Sequence, residues 1–95
     1  MILLGQIEDV FRITGRGVVV TLDFSESLDS NLRFHVGDKI ELRDRNGSVA
    51  ETEIKGIEFL KPLVFRKHGN IGFTFSPEVR FEDLNKGMEI WLLRD

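Results

Sequence analysis

The amino-acid sequence predicts an all-β fold: a small antiparallel barrel, closed or nearly closed by about six strands, with one short helical turn near residues 81–86. Three observations predict it. The apolar stock is β-branched and aromatic, with eight Phe beside many Val, Ile and Leu, side chains that suit a pleated, half-buried surface better than a helix. Apolar residues recur with a period of two in one segment after another. Glycine-bearing turns separate those segments at short intervals, as in a small barrel. A chain of 95 residues holds about one domain, so the expected organisation is a single barrel over 1–95.

Ile7, Phe11 and Ile13 fall on odd positions between Gln6 and Ile13, the pattern of a first strand with one face buried. Gly15-Arg16-Gly17 interrupts it as a turn or bulge. Beyond it Val18, Val20, Leu22 and Phe24 share one face of a second strand, while Val19, Thr21 and Asp23 share the other, completing a hairpin. Ser25 to Asn31 is polar except for Leu28 and reads as a surface loop. Phe34 to Asp38 turns the chain into a third strand, Lys39 to Arg43, where Ile40 and Leu42 alternate with charges. Asn46-Gly47 predicts a type I′ hairpin turn, since both residues tolerate positive φ. The fourth strand runs from about Val49 to Phe59 and changes phase near Gly56, as a bulge requires. Lys61 to Asn70 is a basic connection containing Pro62 and a Gly69-Asn70 turn. Ile71, Phe73 and Phe75 mark a fifth strand. Phe81 to Lys86 reads as one helical turn capped by Gly87. In the last strand, Met88 to Leu93, Met88, Ile90 and Leu92 lie opposite Glu89, Trp91 and Leu93.

The formal charge is −3, from 13 Lys and Arg against 16 Asp and Glu. Sequence-independent nucleic-acid affinity comes mainly from clustered cations neutralising phosphates, so broad RNA or DNA binding is disfavoured. With no cysteine there is neither a disulfide framework nor a thiolate metal site. Met1 to Leu4 is apolar but stops at Gly5 and Gln6, too short for a signal peptide or a membrane span. A cytoplasmic location without membrane association is therefore expected.

Catalysis needs ionisable groups that converge. His35 and His68 each sit beside a turn, and neither has the spacing of a zinc site. The pairs Glu8-Asp9 and Glu82-Asp83 are adjacent, and adjacent residues on a strand point to opposite faces and do not cooperate as acid and base. There is no glycine-rich phosphate loop ending in Lys-Ser or Lys-Thr. Asn85-Lys86-Gly87-Met88 superficially resembles a guanine-specificity motif but lacks its Asp. The expectation is a non-enzymatic chain that binds no GTP, needs no metal or cofactor, and acts by binding.

One long run is specific. Ile7-Glu8-Asp9-Val10-Phe11-Arg12-Ile13-Thr14-Gly15-Arg16-Gly17-Val18-Val19-Val20-Thr21 closely resembles the opening hairpin of the second domain of translation elongation factor Tu and the related GTPases. The resemblance continues through Val36-Gly37-Asp38-Lys39-Ile40-Glu41-Leu42 and Gly56-Ile57-Glu58-Phe59. It resumes at Gly69-Asn70-Ile71-Gly72 and at Phe81-Glu82-Asp83-Leu84-Asn85-Lys86-Gly87-Met88, covering nearly the whole chain. It implies a six- or seven-stranded antiparallel barrel, in agreement with the strand pattern. In that family the domain packs against a GTPase domain and helps bind the aminoacylated end of tRNA.

On the matching positions the resemblance implies a terminal-adenosine pocket at Ile13, Gly15, Val19 and Glu58, with the aminoacyl group near Glu8, Asp9, Phe11 and Asn70. Each also has an ordinary structural role to fill: strand packing for Phe11, Ile13 and Val19, a turn for Gly15 and Asn70, and solvation for the acids. The sequence departs from the family at Leu22, where a glycine is usual, in the longer Ser25 to Asn31 loop, and at Thr74, where an aliphatic residue is expected. Two functions follow as expectations. The first is a translation-related module engaging a tRNA acceptor end, a ribosomal surface or a translation factor. The second is a protein-interaction or structural module without RNA binding, with Trp91 and Leu93 as contact residues.

Overall fold

The structure, a computed structural model, describes residues 1–15, 17–29, 31–59 and 71–94. The basic connection expected from Lys61 to Asn70, with Pro62, His68 and the Gly69-Asn70 turn, lies outside the described residues. The strands are β1 (Ile2–Ile13), β2 (Gly17–Phe24), β3 (Lys39–Asp44), β4 (Gly47–Phe59), β5 (Ile71–Phe75) and β6 (Glu89–Leu92). They close into an antiparallel barrel in the order β1-β2-β5-β4-β3-β6. Among the described residues, closure leaves none of the six strands at a sheet edge. The all-β barrel expected from the alternating pattern is the fold observed.

Alternate side chains fill the interior. Ile7, Val20, Leu22, Ile40, Leu42, Ile54, Phe73, Ile90 and Leu92 form one buried cluster with Leu4. Val79, Leu84 and Met88, from the segment between β5 and β6, join the same cluster. Phe73 is fully buried, its ring edge-on to Phe34 at 5.2 Å and to Phe24 at 6.5 Å, the arrangement that aromatic quadrupoles favour.

Four sequence expectations need correction. First, β1 begins at Ile2 rather than near Gln6, because Ile2 and Leu3 pair with Leu92 and Trp91 of β6. The apolar start of the chain is a barrel strand. Second, the register shifts between Ile7 and Asp9, and an extra residue in one strand reverses the alternation beyond it. Val10 therefore packs on the core, and Phe11 and Ile13, expected on the buried face with Ile7, are turned to the outside. Third, the Asn46-Gly47 hairpin forms, but not as type I′. No described non-glycine residue has positive φ, and Gly47 alone carries it at +111°. The Asp44 carboxylate accepts the Asn46 amide N–H at 2.7 Å, a local bond that holds Asn46 in ordinary backbone space. Fourth, the helical turn is a single 3₁₀ turn, Phe81–Asp83, shorter than the 81–86 expected. Leu84 is extended and buried in the core, which ends the turn before Gly87. Gly87 serves a separate turn at φ +88°.

The phase change expected near Gly56 is present as a register shift between Ile54 and Gly56, with both Ile54 and Ile57 kept against the core.

Candidate functional site

Directly opposed residues of an antiparallel pair present their side chains on one face of the sheet. Following the register from β1 through β2 and β5 to β4 therefore builds the surface row by row. The row Val10, Val20, Phe73, Ile57 faces the core. The rows on either side of it face outward: Phe11, Val19, Thr74, Gly56, and then Asp9, Thr21, Gly72, Glu58. Strands lie about 4.8 Å apart, which sets Asp9 and Glu58 on the order of 14 Å from each other.

This outer face is not an ordinary solvated one. Val19 is 0% exposed and Thr21 5%, although neither belongs to the interior cluster. Gly72 leaves no side chain between Thr21 and Glu58. A Cβ on Gly56 would stand 2.6 Å from Thr74 Oγ1, so the Thr74 hydroxyl occupies the space a larger residue would need. Thr21 Oγ1 is buried without any hydrogen-bond partner, a condition that costs roughly 1–3 kcal/mol. Asp9 forms an ion pair with Lys86, Oδ1 to Nζ at 3.3 Å. Lys86 arrives on the turn before β6, so the pair ties that turn to the face.

The sequence-derived residues are thus partly assembled. Asp9, Phe11, Val19 and Glu58 come together in the two outer rows, although they span positions 9 to 58 of the chain. Glu8 stands at the register shift beside Asp9, where the strict alternation expected to separate the two acids is interrupted. Ile13 pairs with Gly17 at the end of the same face. Gly15 is apart from the rows, exposed in the β1–β2 turn with φ +83°. Asn70 lies outside the described residues. Sequence reasoning missed Thr21, Gly72 and Lys86. The alternation that groups Thr21 with Val19 is visible in the sequence, but the pairing of β2 with β5 that brings Gly72 beside it is not.

The second expected surface lies on β1, β6 and β3. Leu3, Trp91 and Glu41 form an outer row there. Trp91 is half-buried; its indole N–H donates to Glu89 Oε1 at 3.1 Å, and the Arg43 guanidinium stacks 5.1 Å from its ring centre. Arg43 is held in turn by Glu41, itself buried. The aromatic ring is therefore a partly covered member of a polar network. An open cleft of about 520 Å³ adjoins it, lined among others by Gln6, Arg43, Arg45, Lys86 and Glu89.

A third group lies farther along β4, beside Lys39 of β3 and the chain after β5. Lys55 bonds to Glu53 and holds its carboxyl below the usual Glu range, while the carboxylate raises the Lys55 ammonium. Glu78 is lowered by the Ser76 hydroxyl and by its own backbone amide. Among the described residues no group of three or more His, Cys, Asp and Glu is placed to hold a metal ion, and no helix is long and apolar enough to cross a membrane. Compared with known protein families, the chain matches no family model.

Proposed function

We propose that this barrel is a non-enzymatic binding module of the translation machinery, acting in the cytoplasm, whose outer face on β1, β2, β5 and β4 engages the single-stranded acceptor end of tRNA. The observation that carries the reading is the shared face. Asp9, Phe11, Val19 and Glu58, which the resemblance to the elongation-factor domain assigns to the RNA end, stand in two adjacent rows across four strands. Unstacked RNA ends are read by hydrogen bonds and flat packing on such surfaces. Carboxylates accept from ribose hydroxyls and base amino groups, and an aromatic ring at Phe11 offers a packing surface.

A net charge of −3 sets the character of the interaction. With few phosphates neutralised, affinity is modest and its salt dependence shallow. The test is titration with aminoacylated and deacylated tRNA at low and moderate salt, comparing wild type with Glu58→Ala and Asn70→Ala. The expected result is a preference for the aminoacylated form, with each substitution weakening binding by about tenfold. Binding indifferent to both substitutions and to the aminoacyl group overturns the reading.

A second reading, a protein-contact module using Trp91 and Leu93, both half-buried, is favoured by Met1, 56% exposed and in contact with Arg43, which stacks on Trp91. Capture of a protein from cell extract that is lost on Trp91→Ala, with no tRNA bound, selects it.

A further inference from the structure

We propose that the apolar pocket at the barrel end between β2 and β5 binds the C-terminal residue of a partner polypeptide, with its apolar side chain inside and its free carboxylate on Arg80. None of the residues assigned to the RNA end lines this pocket, so the two sites are separate.

The pocket follows from how the strands end. Pairing of β2 with β5 stops at Val19 and Thr74, while β5 stays paired with β4 as far as Phe75 and Ile54. β5 and β6 stand three places apart in the ring, so the segment joining them crosses the barrel end, and it carries Val79 and Leu84 into the core. A space of about 280 Å³ is left where β2 and β5 part. Burial is graded from its rim to its floor. Pro77 and Arg80 are exposed, Val18 and Phe75 are half-buried, and Val79 and Leu84 are buried.

The lining selects the ligand. Among the described residues that line the pocket, Arg80 alone is ionisable, in a chain of net charge −3. Its acceptor among the described residues is the Asp83 carboxylate, which takes Nε at a long 3.5 Å, and the two side chains are 70% and 39% exposed, a surface pair of the weak kind. A guanidinium presents five donors and matches a carboxylate two by two. An amine is repelled by it, and a phosphate leaves the apolar walls unfilled. A cavity of about 150 Å³ already holds a benzene ring, so this one takes a phenylalanine or leucine side chain. Within a polypeptide, only a C-terminal residue carries an apolar side chain and a carboxylate on one Cα. A free small molecule making just these contacts binds at about millimolar strength. A polypeptide adds contacts along the exposed rim at Pro77, and it is the occupant proposed.

The experiment is an NMR titration of the methyl-labelled whole chain with acetylated pentapeptides Ser-Gly-Ser-Gly-X, where X is Phe, Leu or Ser, each as the free acid and as the C-terminal amide. N-acetylphenylalanine is the small-molecule arm. Wild type, Arg80→Gln and Asp83→Asn are compared, the exposed position of Arg80 leaving the fold intact. The Phe and Leu acids are expected to shift the methyl signals of Val18, Val79 and Leu84 and to bind about tenfold more tightly than their amides, with no shift from the Ser peptides. Arg80→Gln is expected to erase the difference between acid and amide, and Asp83→Asn, which frees the guanidinium, to tighten the acids. Equal binding of acid and amide, an acid preference that survives Arg80→Gln, or an absence of shifts at these methyls overturns the inference. Binding of N-acetylphenylalanine as tight as that of the Phe pentapeptide overturns the polypeptide as occupant and assigns the pocket to a small carboxylic acid.

Discussion

Replacing Gly5 by alanine adds one methyl group where β1 passes from its pairing with β6 to its pairing with β2. A Cβ there would stand 2.2 Å from the carbonyl oxygen of Asp23, 2.8 Å from the Phe24 Cα and 2.9 Å from the Asp23 carbonyl carbon. All three atoms are backbone, so no side chain can rotate away. Ordinary contact distances are about 3.5 Å, and relief requires the two strands to part by about 1 Å. The adjoining Ser25 amide to Leu4 carbonyl bond, 2.8 Å in the native protein, would then be lost. Overpacking of this kind costs about 1–3 kcal/mol and the lost bond about 1 kcal/mol, which gives about 2–4 kcal/mol in all. Gly15 is the control. It has φ +83° with nothing within 4 Å of a built Cβ, so Gly15→Ala meets only the left-handed backbone penalty of about 1–2 kcal/mol. Urea denaturation followed by circular dichroism should move the Gly5→Ala midpoint about twice as far as that of Gly15→Ala, at unchanged slope. Equal shifts, or a milder effect at Gly5, would refute the close approach of β1 to β2 on which the barrel closure depends.

Two further outcomes follow from the packing and the charges. Phe73→Ala removes a fully buried ring and its contacts with Phe24 and Phe34, at a cost of about 3–5 kcal/mol; a thermal midpoint lowered by less than about 5 °C would contradict that burial. Glu53 and Glu78 are held below the ordinary Glu value of 4.5. A depressed folded value means that their contribution is present above that pH and fades as pH falls through the lower, folded value. Thermal midpoints should therefore decline on acidification below about pH 4.5, less steeply in Glu53→Gln and less steeply in high salt. An acid limb unchanged by the substitution would count against the Glu53–Lys55 bond.

The fold was legible because its interior obeys a period of two: Ile40 and Leu42, Phe73, and Ile90 and Leu92 fall where alternation puts them, inside. The side of the sheet taken by Phe11 and Ile13 was not legible. Alternation identifies the inner face only when the outer one is polar, and β2 buries Val19, Val20, Thr21 and Leu22 in succession. With apolar residues on both faces of the partner strand, Ile7, Phe11 and Ile13 fit a single stripe equally well until a bulge is placed between them. No local signal places it. Nor does the chain announce that β2 pairs with β5 across almost fifty intervening positions, the step that sets Gly72 beside Thr21. The turn residues were read correctly in kind and missed in detail at Asn46, where the Asp44 carboxylate offered a local bond that competes with the positive-φ conformation.

That bulge decides which residues reach the candidate face. Continued alternation from Ile7, whose side chain is inside, would send Glu8, Val10 and Arg12 outward and turn Asp9 and Phe11 into the barrel. The shifted register between Ile7 and Asp9 does the reverse: Val10 enters the core, where an apolar side chain is favourable, and Asp9 and Phe11 come out beside Thr21 and Val19. Asp9 inside the barrel would be a carboxylate without solvent, and that cost alone excludes the unbulged register. The bulge is thus required by the core, and its consequence is delivered to the surface. The same outer rows carry the side-chain-free positions Gly56, whose space the Thr74 hydroxyl takes, and Gly72, which is buried, together with the unmet hydroxyl of Thr21. Unmet hydroxyls and bulges are not confined to this face: Thr52 Oγ1, opposite Ile40, is buried without a partner too, and the register also shifts at Leu3/Gly5 and Leu42/Arg43. What is particular to the bulge after Ile7 is that it turns an acid and an aromatic ring outward together.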